Sequence, residues 1–78
     1  MVKLFTKKNC PNCKTAKRMF KMSNVQTVEV DVEEDVNAFN YVKHELGLTS
    51  LPVVVADGFE PFAYDKSKIS QVIESVNK

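Results

Sequence analysis

The chain has 78 residues, 44% hydrophobic and 27% charged, with a formal net charge of +1. That composition is the ordinary globular one and excludes collagen-like, low-complexity and disordered classes, while the length restricts it to one domain, residues 1–78, with a small core. No apolar run approaches the roughly 20 residues that a membrane-spanning helix needs, and the opening MVKLFTKKNC lacks the apolar core and cleavage site of an export signal; the expectation is a soluble, cytoplasmic protein working as a monomer.

Val2 to Thr6 is a short run of strand formers, stopped by the polar Lys7-Lys8-Asn9. Pro11 suits the first turn of a helix, where its missing N–H is not needed. Cys13, Ala16, Met19 and Phe20 then recur at spacings of three and four, with Lys14, Lys17, Arg18 and Lys21 on the other side. This predicts an amphipathic helix over 11–22, with Met22 packing at its end. From Gln26 to Val32 the chain alternates, Val28, Val30 and Val32 against Glu29 and Asp31, as a half-exposed strand does at a sheet edge.

Asp35 is placed to cap a second helix whose apolar positions are Val36, Phe39, Val42 and Leu46, with Lys43 and Glu45 outside and Gly47 as its stop. His44 on that helix reads as a surface residue. Val53 to Ala56 is a buried-type strand, and Asp57-Gly58 signals a two-residue hairpin into a strand over 59–62. Pro61 confines that strand to an edge. Ile69, Val72, Ile73 and Val76 mark a third helix, begun by Asp65 or Ser67. The order β-α-β-α-β-β-α, with a parallel crossover first and an antiparallel hairpin later, predicts an α/β fold with a mixed four-stranded sheet. The strand order follows as 2-1-3-4, with helices one and three on one face and helix two on the other.

Charge is unevenly distributed along the chain. Residues 1–28 hold seven basic residues and no acid, whereas residues 29–35 hold five acids. The basic stripe reads as a solvated face that the acids compensate, so neither nucleic acid nor membrane is an expected partner.

The one constellation that carries chemistry is Cys10-Pro11-Asn12-Cys13, where the first strand gives way to the first helix. A lone C-x-x-C is a redox dithiol, half a zinc site, or coincidence. Zinc wants four ligands and beyond the cysteines only His44 offers nitrogen or sulfur; no metal is expected. As a staple the pair closes too short a loop to constrain the unfolded chain much. For redox work the spacing is apt, because positions i and i+3 at a helix start lie within disulfide reach. Cys10 would sit over the free N–H groups of the first turn, with Lys7, Lys8 and Lys14 adding positive potential, which favours a thiolate. Cys10, at the exposed edge of the turn, is then the attacking sulfur and Cys13, inside the helix, the resolving one. Asn12 between them either tunes the thiolate and the choice of partner or is a tolerated turn residue.

These motifs resemble the glutaredoxins and their relatives the NrdH-redoxins, within the thioredoxin superfamily. The resemblance runs from Val2-Lys3-Leu4-Phe5-Thr6-Lys7 through Cys10-Pro11-Asn12-Cys13 and Leu51-Pro52-Val53-Val54 to Asp57-Gly58. It implies a thioredoxin-like fold of the minimal glutaredoxin type. Lys7 is similar to the lysine that meets a glutathione carboxylate, and Ser50-Leu51-Pro52 to the Thr-Val-Pro segment, which implies a cis Pro52 and a Leu51 backbone that pairs with the bound thiol substrate. Phe62 and Tyr64 resemble residues flanking the substrate groove; Asp65 either meets the glutathione amino group or only caps the third helix. The chain departs from the family where Asn12 replaces an aromatic residue and where Phe62-Ala63-Tyr64-Asp65 replaces a Gly-Gly-aromatic-Asp segment.

The implied activity is thiol-disulfide exchange: a dithiol electron carrier that reduces protein or glutathione mixed disulfides, with Pro11 and Asn12 also facing substrate. The resemblance implies ribonucleotide reductase as a client, no bound cofactor, and glutathione as co-substrate or a thioredoxin-reductase-type flavoenzyme as reductant. The other reading the family offers is a carrier that holds an iron-sulfur cluster through Cys10 and glutathione without redox turnover.

Overall fold

The computed structural model describes residues 2–77. Its elements are β1 (Val2–Thr6), α1 (Pro11–Met22), β2 (Thr27–Asp31), α2 (Val36–Asn40) continued by a π-helical turn (Tyr41–Glu45), β3 (Val53–Ala56), β4 (Phe62–Ala63) and α3 (Lys66–Val76). The four strands form one sheet in the order β2-β1-β3-β4, the order expected from the acidic alternation of one edge strand and the proline of the other. β1 runs parallel to β2 and antiparallel to β3, which pairs antiparallel with β4. This is the thioredoxin-like fold.

Period-two alternation in the central strands divides the core between the two faces. Val2 and Leu4 of β1 and Val54 and Ala56 of β3 pack with Ala16 and Phe20 of α1 and Ile69 and Val72 of α3. Phe5 and Val53 face the other way, onto Val32, Ala38 and Val42. Helices one and three therefore share one face and helix two has the other.

Four details differ from the sequence reading. The buried side of the second helix keeps Val42 of the expected stripe, with Leu46 packed against the same cluster, but its other buried residue is Ala38, while Val36 is 67% and Phe39 44% exposed. The small Ala38 lets the helix approach the sheet, and the Tyr41 ring packs on Phe5 with centroids 5.6 Å apart. The helix also widens: the Leu46 N–H donates to the Tyr41 carbonyl, a five-residue step, before Gly47 turns the chain at φ +67. β4 begins at Phe62, later than expected, because Gly58 alone of the two turn residues has positive φ. A two-residue hairpin turn with Asn/Asp-Gly sequence needs positive φ at both; here the Phe59 N–H closes a turn onto the Ala56 carbonyl and Val54 pairs with Phe62. Pro61 thus precedes the edge strand. Lastly, Met22 is 78% exposed and does not pack at the helix end.

Candidate functional site

Cys10 ends the loop after β1 as the N-cap of α1, in extended conformation at φ −110 and ψ 104, with Pro11 in the first turn. The turn that delivers it uses Asn9 at φ +57, a left-handed conformation that asparagine tolerates better than most residues. Cys10 and Cys13 are at disulfide distance with their Cα atoms 5.2 Å apart. The Cys10 Sγ accepts the N–H of Cys13 at 3.2 Å. A helix-start amide so placed offers a partial positive charge to that sulfur.

The second side of the site comes from residues 41 positions away. The Leu51–Pro52 peptide is cis, as the resemblance implied, and the Leu51 carbonyl oxygen lies 3.8 Å from the Cys10 Sγ. Pro52 is fully buried. The side chain of Leu51 lines a cleft of about 260 Å³ together with Val32, Phe39, Val42, Lys43 and Leu48. Leu51 thus joins the sulfur to the cleft, through its carbonyl oxygen on one side and its place in the cleft wall on the other.

Burial does not separate the two cysteines as expected: Cys10 is 6% and Cys13 5% exposed. Cys10 is covered because it lies between the helix start and the Leu51 carbonyl. What distinguishes it is the N–H it accepts. Pro11 and Asn12 are exposed beside it, as are Lys7 and Lys14; Thr15 Oγ1 donates to the Pro11 carbonyl and secures the first turn. Asp65 is the N-cap of α3, its Oδ1 accepting the Lys68 N–H at 3.1 Å, and Tyr64 packs at the edge of the α1–α3 core cluster. Among the described residues no hydrogen bond or ion pair joins Lys7, Tyr64 or Asp65 to either sulfur.

Sequence reasoning missed the role of the acidic turn after β2. The Val32 N–H extends the β1–β2 pairing to the Thr6 carbonyl, and this brings the turn against the loop that carries Cys10. Asp31 Oδ1 accepts the Glu33 N–H at 2.8 Å, Glu33 Oε1 accepts the Lys8 N–H at 3.2 Å, and Glu34 lies 3.6 Å from Lys8 Nζ. Lys8 is therefore already paired, and its contribution to the potential at Cys10 is weaker than the sequence suggested. The signal was the acid-rich run itself, but only the parallel pairing shows what it faces. His44 is exposed, and among the described residues no three His, Cys, Asp or Glu side chains gather as a metal-binding group.

A four-stranded mixed sheet with a cysteine pair at the start of its first helix and a proline loop across from it defines a thioredoxin-fold dithiol protein. The glutaredoxin family model matches residues 2–59, and the chain belongs to that family. It is 28% identical over 74 residues to an uncharacterised glutaredoxin-like 8.6 kDa protein of a rubredoxin operon in Clostridium pasteurianum, covering 95% of this chain and 99% of that one. Among solved structures it is similar to the thioredoxin-like protein BC3987, at 33% identity and TM-score 0.83, covering 92% of this chain and 99% of that one. The NrdH-redoxin of Escherichia coli shares the fold, with TM-score 0.84 at 19% identity, covering 91% of this chain and 92% of that one.

Proposed function

We propose that this glutaredoxin-family thiol oxidoreductase is a dithiol electron carrier working as a single domain. The observation that carries the reading is the Cys10 Sγ held between the Cys13 N–H and the Leu51 carbonyl. In the reduced state the Cys10 thiolate attacks one sulfur of a substrate disulfide; the S–S bond breaks and the other sulfur leaves as a thiolate, which takes up a proton. The Cys13 thiol then loses its proton and attacks the Cys10 sulfur, closing the Cys10–Cys13 disulfide and expelling the second substrate thiol. Two electrons pass from the dithiol to the substrate, and a later reductant restores them.

The Leu51 backbone is suited to pair with the extended segment around the substrate sulfur, as strand addition does elsewhere. Lys7, Pro11, Asn12, Pro52 and Tyr64 are the further proposed substrate-binding residues, and Asp65, which caps α3 through one carboxylate oxygen, is proposed to meet a substrate amine through the other. Protein disulfides in the cytoplasm, ribonucleotide reductase among them, are the proposed clients of a monomeric carrier. The reductant is either glutathione or a thioredoxin-reductase-type flavoenzyme. The deciding experiment offers oxidised protein either glutathione with its reductase or a thioredoxin reductase with NADPH, and follows NADPH consumption in the presence of a protein disulfide. Turnover with one system names the reductant; turnover with neither, in a folded protein, overturns the carrier reading.

A further inference from the structure

We infer that the outer face of α1 is a docking surface for an acidic protein that exchanges disulfides with Cys10 and Cys13. The inference rests on the dithiol reading above and supplies the chemistry of the partner that it leaves open.

The seven cations of residues 1–28 do not share one fate in the fold. Lys17 pairs with Glu29 at 3.2 Å, the Lys8 ammonium with Glu34 at 3.6 Å, and Lys3 lies over the Phe5 ring on the α2 side of the sheet. Lys7, Lys14, Arg18 and Lys21 remain exposed, and among the described residues none of them has an ion pair. Positions 14, 18 and 21 step by four and three, so they form one line along the helix, about 10 Å long. That line lies on the exposed side of α1, turned away from the buried Ala16 and Phe20, and begins one residue beyond Cys13. Lys7 stands on the other side of Cys10 in sequence. Uncompensated positive charge thus flanks the Cys10–Cys13 turn in sequence and continues as a track along the exposed side of α1.

Charge of one sign around a reactive group raises the rate of productive encounter with an oppositely charged partner by about 10- to 1000-fold. The partner favoured by this surface is a protein rather than a nucleic acid, for two reasons. A track that abuts a dithiol serves a partner that brings sulfur to it. Acids also bound the track: Glu29 sits beside Lys17 at 3.2 Å, and Glu74 shares a cavity with Met22 at the far end of α1. A continuous polyanion leaving the track would run against them, whereas a local acidic patch fits between.

Two peptides with the same internal disulfide test this, one followed by a run of glutamates and the other by lysines. Affinity by fluorescence anisotropy reads docking whether or not turnover occurs, and kcat/KM reads it during turnover. The wild type should favour the glutamate peptide by at least about tenfold at 0.01 M salt, and the preference should vanish near 1 M salt, where the screening length contracts from about 30 to about 3 Å. Arg18→Glu with Lys21→Glu should bring the ratio close to one, and Arg18→Gln with Lys21→Gln, which adds no acid to the helix, should lower it in the same direction. Because the result is a ratio, any general effect of the substitutions on the dithiol cancels. Equal affinity for the two peptides in the wild type overturns the docking surface. Reduction of a small uncharged disulfide is measured in parallel and reports on the dithiol reading alone. Salt-sensitive binding of a single-stranded oligonucleotide that the double variant abolishes, without a peptide preference, would assign the face to nucleic acid and overturn the proposal.

Discussion

The N–H of Cys13 points at the sulfur of Cys10 across 3.2 Å. The group that completes the C-x-x-C motif therefore also supplies the hydrogen bond that favours charge on its partner. Reduced Cys10 should titrate below the free-thiol value of about 8.5, and Cys13 should not. A depressed folded-state value means that this hydrogen bond stabilises the reduced protein fully above about pH 8.5, and that the contribution is lost as pH falls through the folded value. Thiolate absorbance in the single Cys→Ser variants checks this; a Cys10 that titrates at or above the free value refutes its activation.

Under the proposed division of roles, Cys13→Ser should capture a protein substrate as a stable mixed disulfide and Cys10→Ser should capture none. The two cysteines are almost equally buried, at 6% and 5% exposed, so an asymmetry would come from the hydrogen bond and the Leu51 side of the site rather than from the burial of the residue. Non-reducing electrophoresis after mild oxidation reads the result, and equal trapping by both variants removes the division.

Asp65 has a structural task in capping α3, and the proposed contact with a substrate amine is separable from it. Asp65→Ala should cost about 1 kcal/mol of stability through the lost cap. Asp65→Asn keeps a capping oxygen and removes the charge, so it should remain near wild type in urea unfolding while raising KM for a glutathione mixed disulfide. An unchanged KM in Asp65→Asn would leave the residue a cap only.

Phe20 is fully buried between α1, α3 and the sheet, and Phe20→Ala should cost about 3–5 kcal/mol. A domain of this length has a total stability of only about 4–12 kcal/mol, so thermal unfolding should shift far or the protein should lose its fold. Val36→Ser, at a position 67% exposed, should stay within about 0.5 kcal/mol of wild type. A large loss in Val36→Ser would mean that Val36, and not Ala38, faces the sheet.

Local features were legible in the residues themselves. β1 and α1 have the bounds that strand propensity, Pro11 and the three-four spacing of Cys13, Ala16 and Phe20 predict, and Asp35 and Asp65 are helix caps in the structure. Edge signals, acidic alternation in β2 and Pro61 before β4, sufficed for the strand order. Each of these depends on a residue's own backbone preference or on neighbours a turn away. The rest depended on which surfaces meet. Ala38 faces the sheet instead of the more apolar Val36 because close approach needs a small residue there, and hydrophobicity along the helix carries no record of that distance. The Leu51 carbonyl reaches the Cys10 sulfur, and Glu33 and Glu34 reach Lys8, only after strands β1, β2 and β3 have paired in register. By itself the sequence determined that two cysteines begin a helix beside a strand; tertiary structure decided what surrounds them, because the opposing groups lie 41 and 25 positions away and only sheet pairing brings them within hydrogen-bond range.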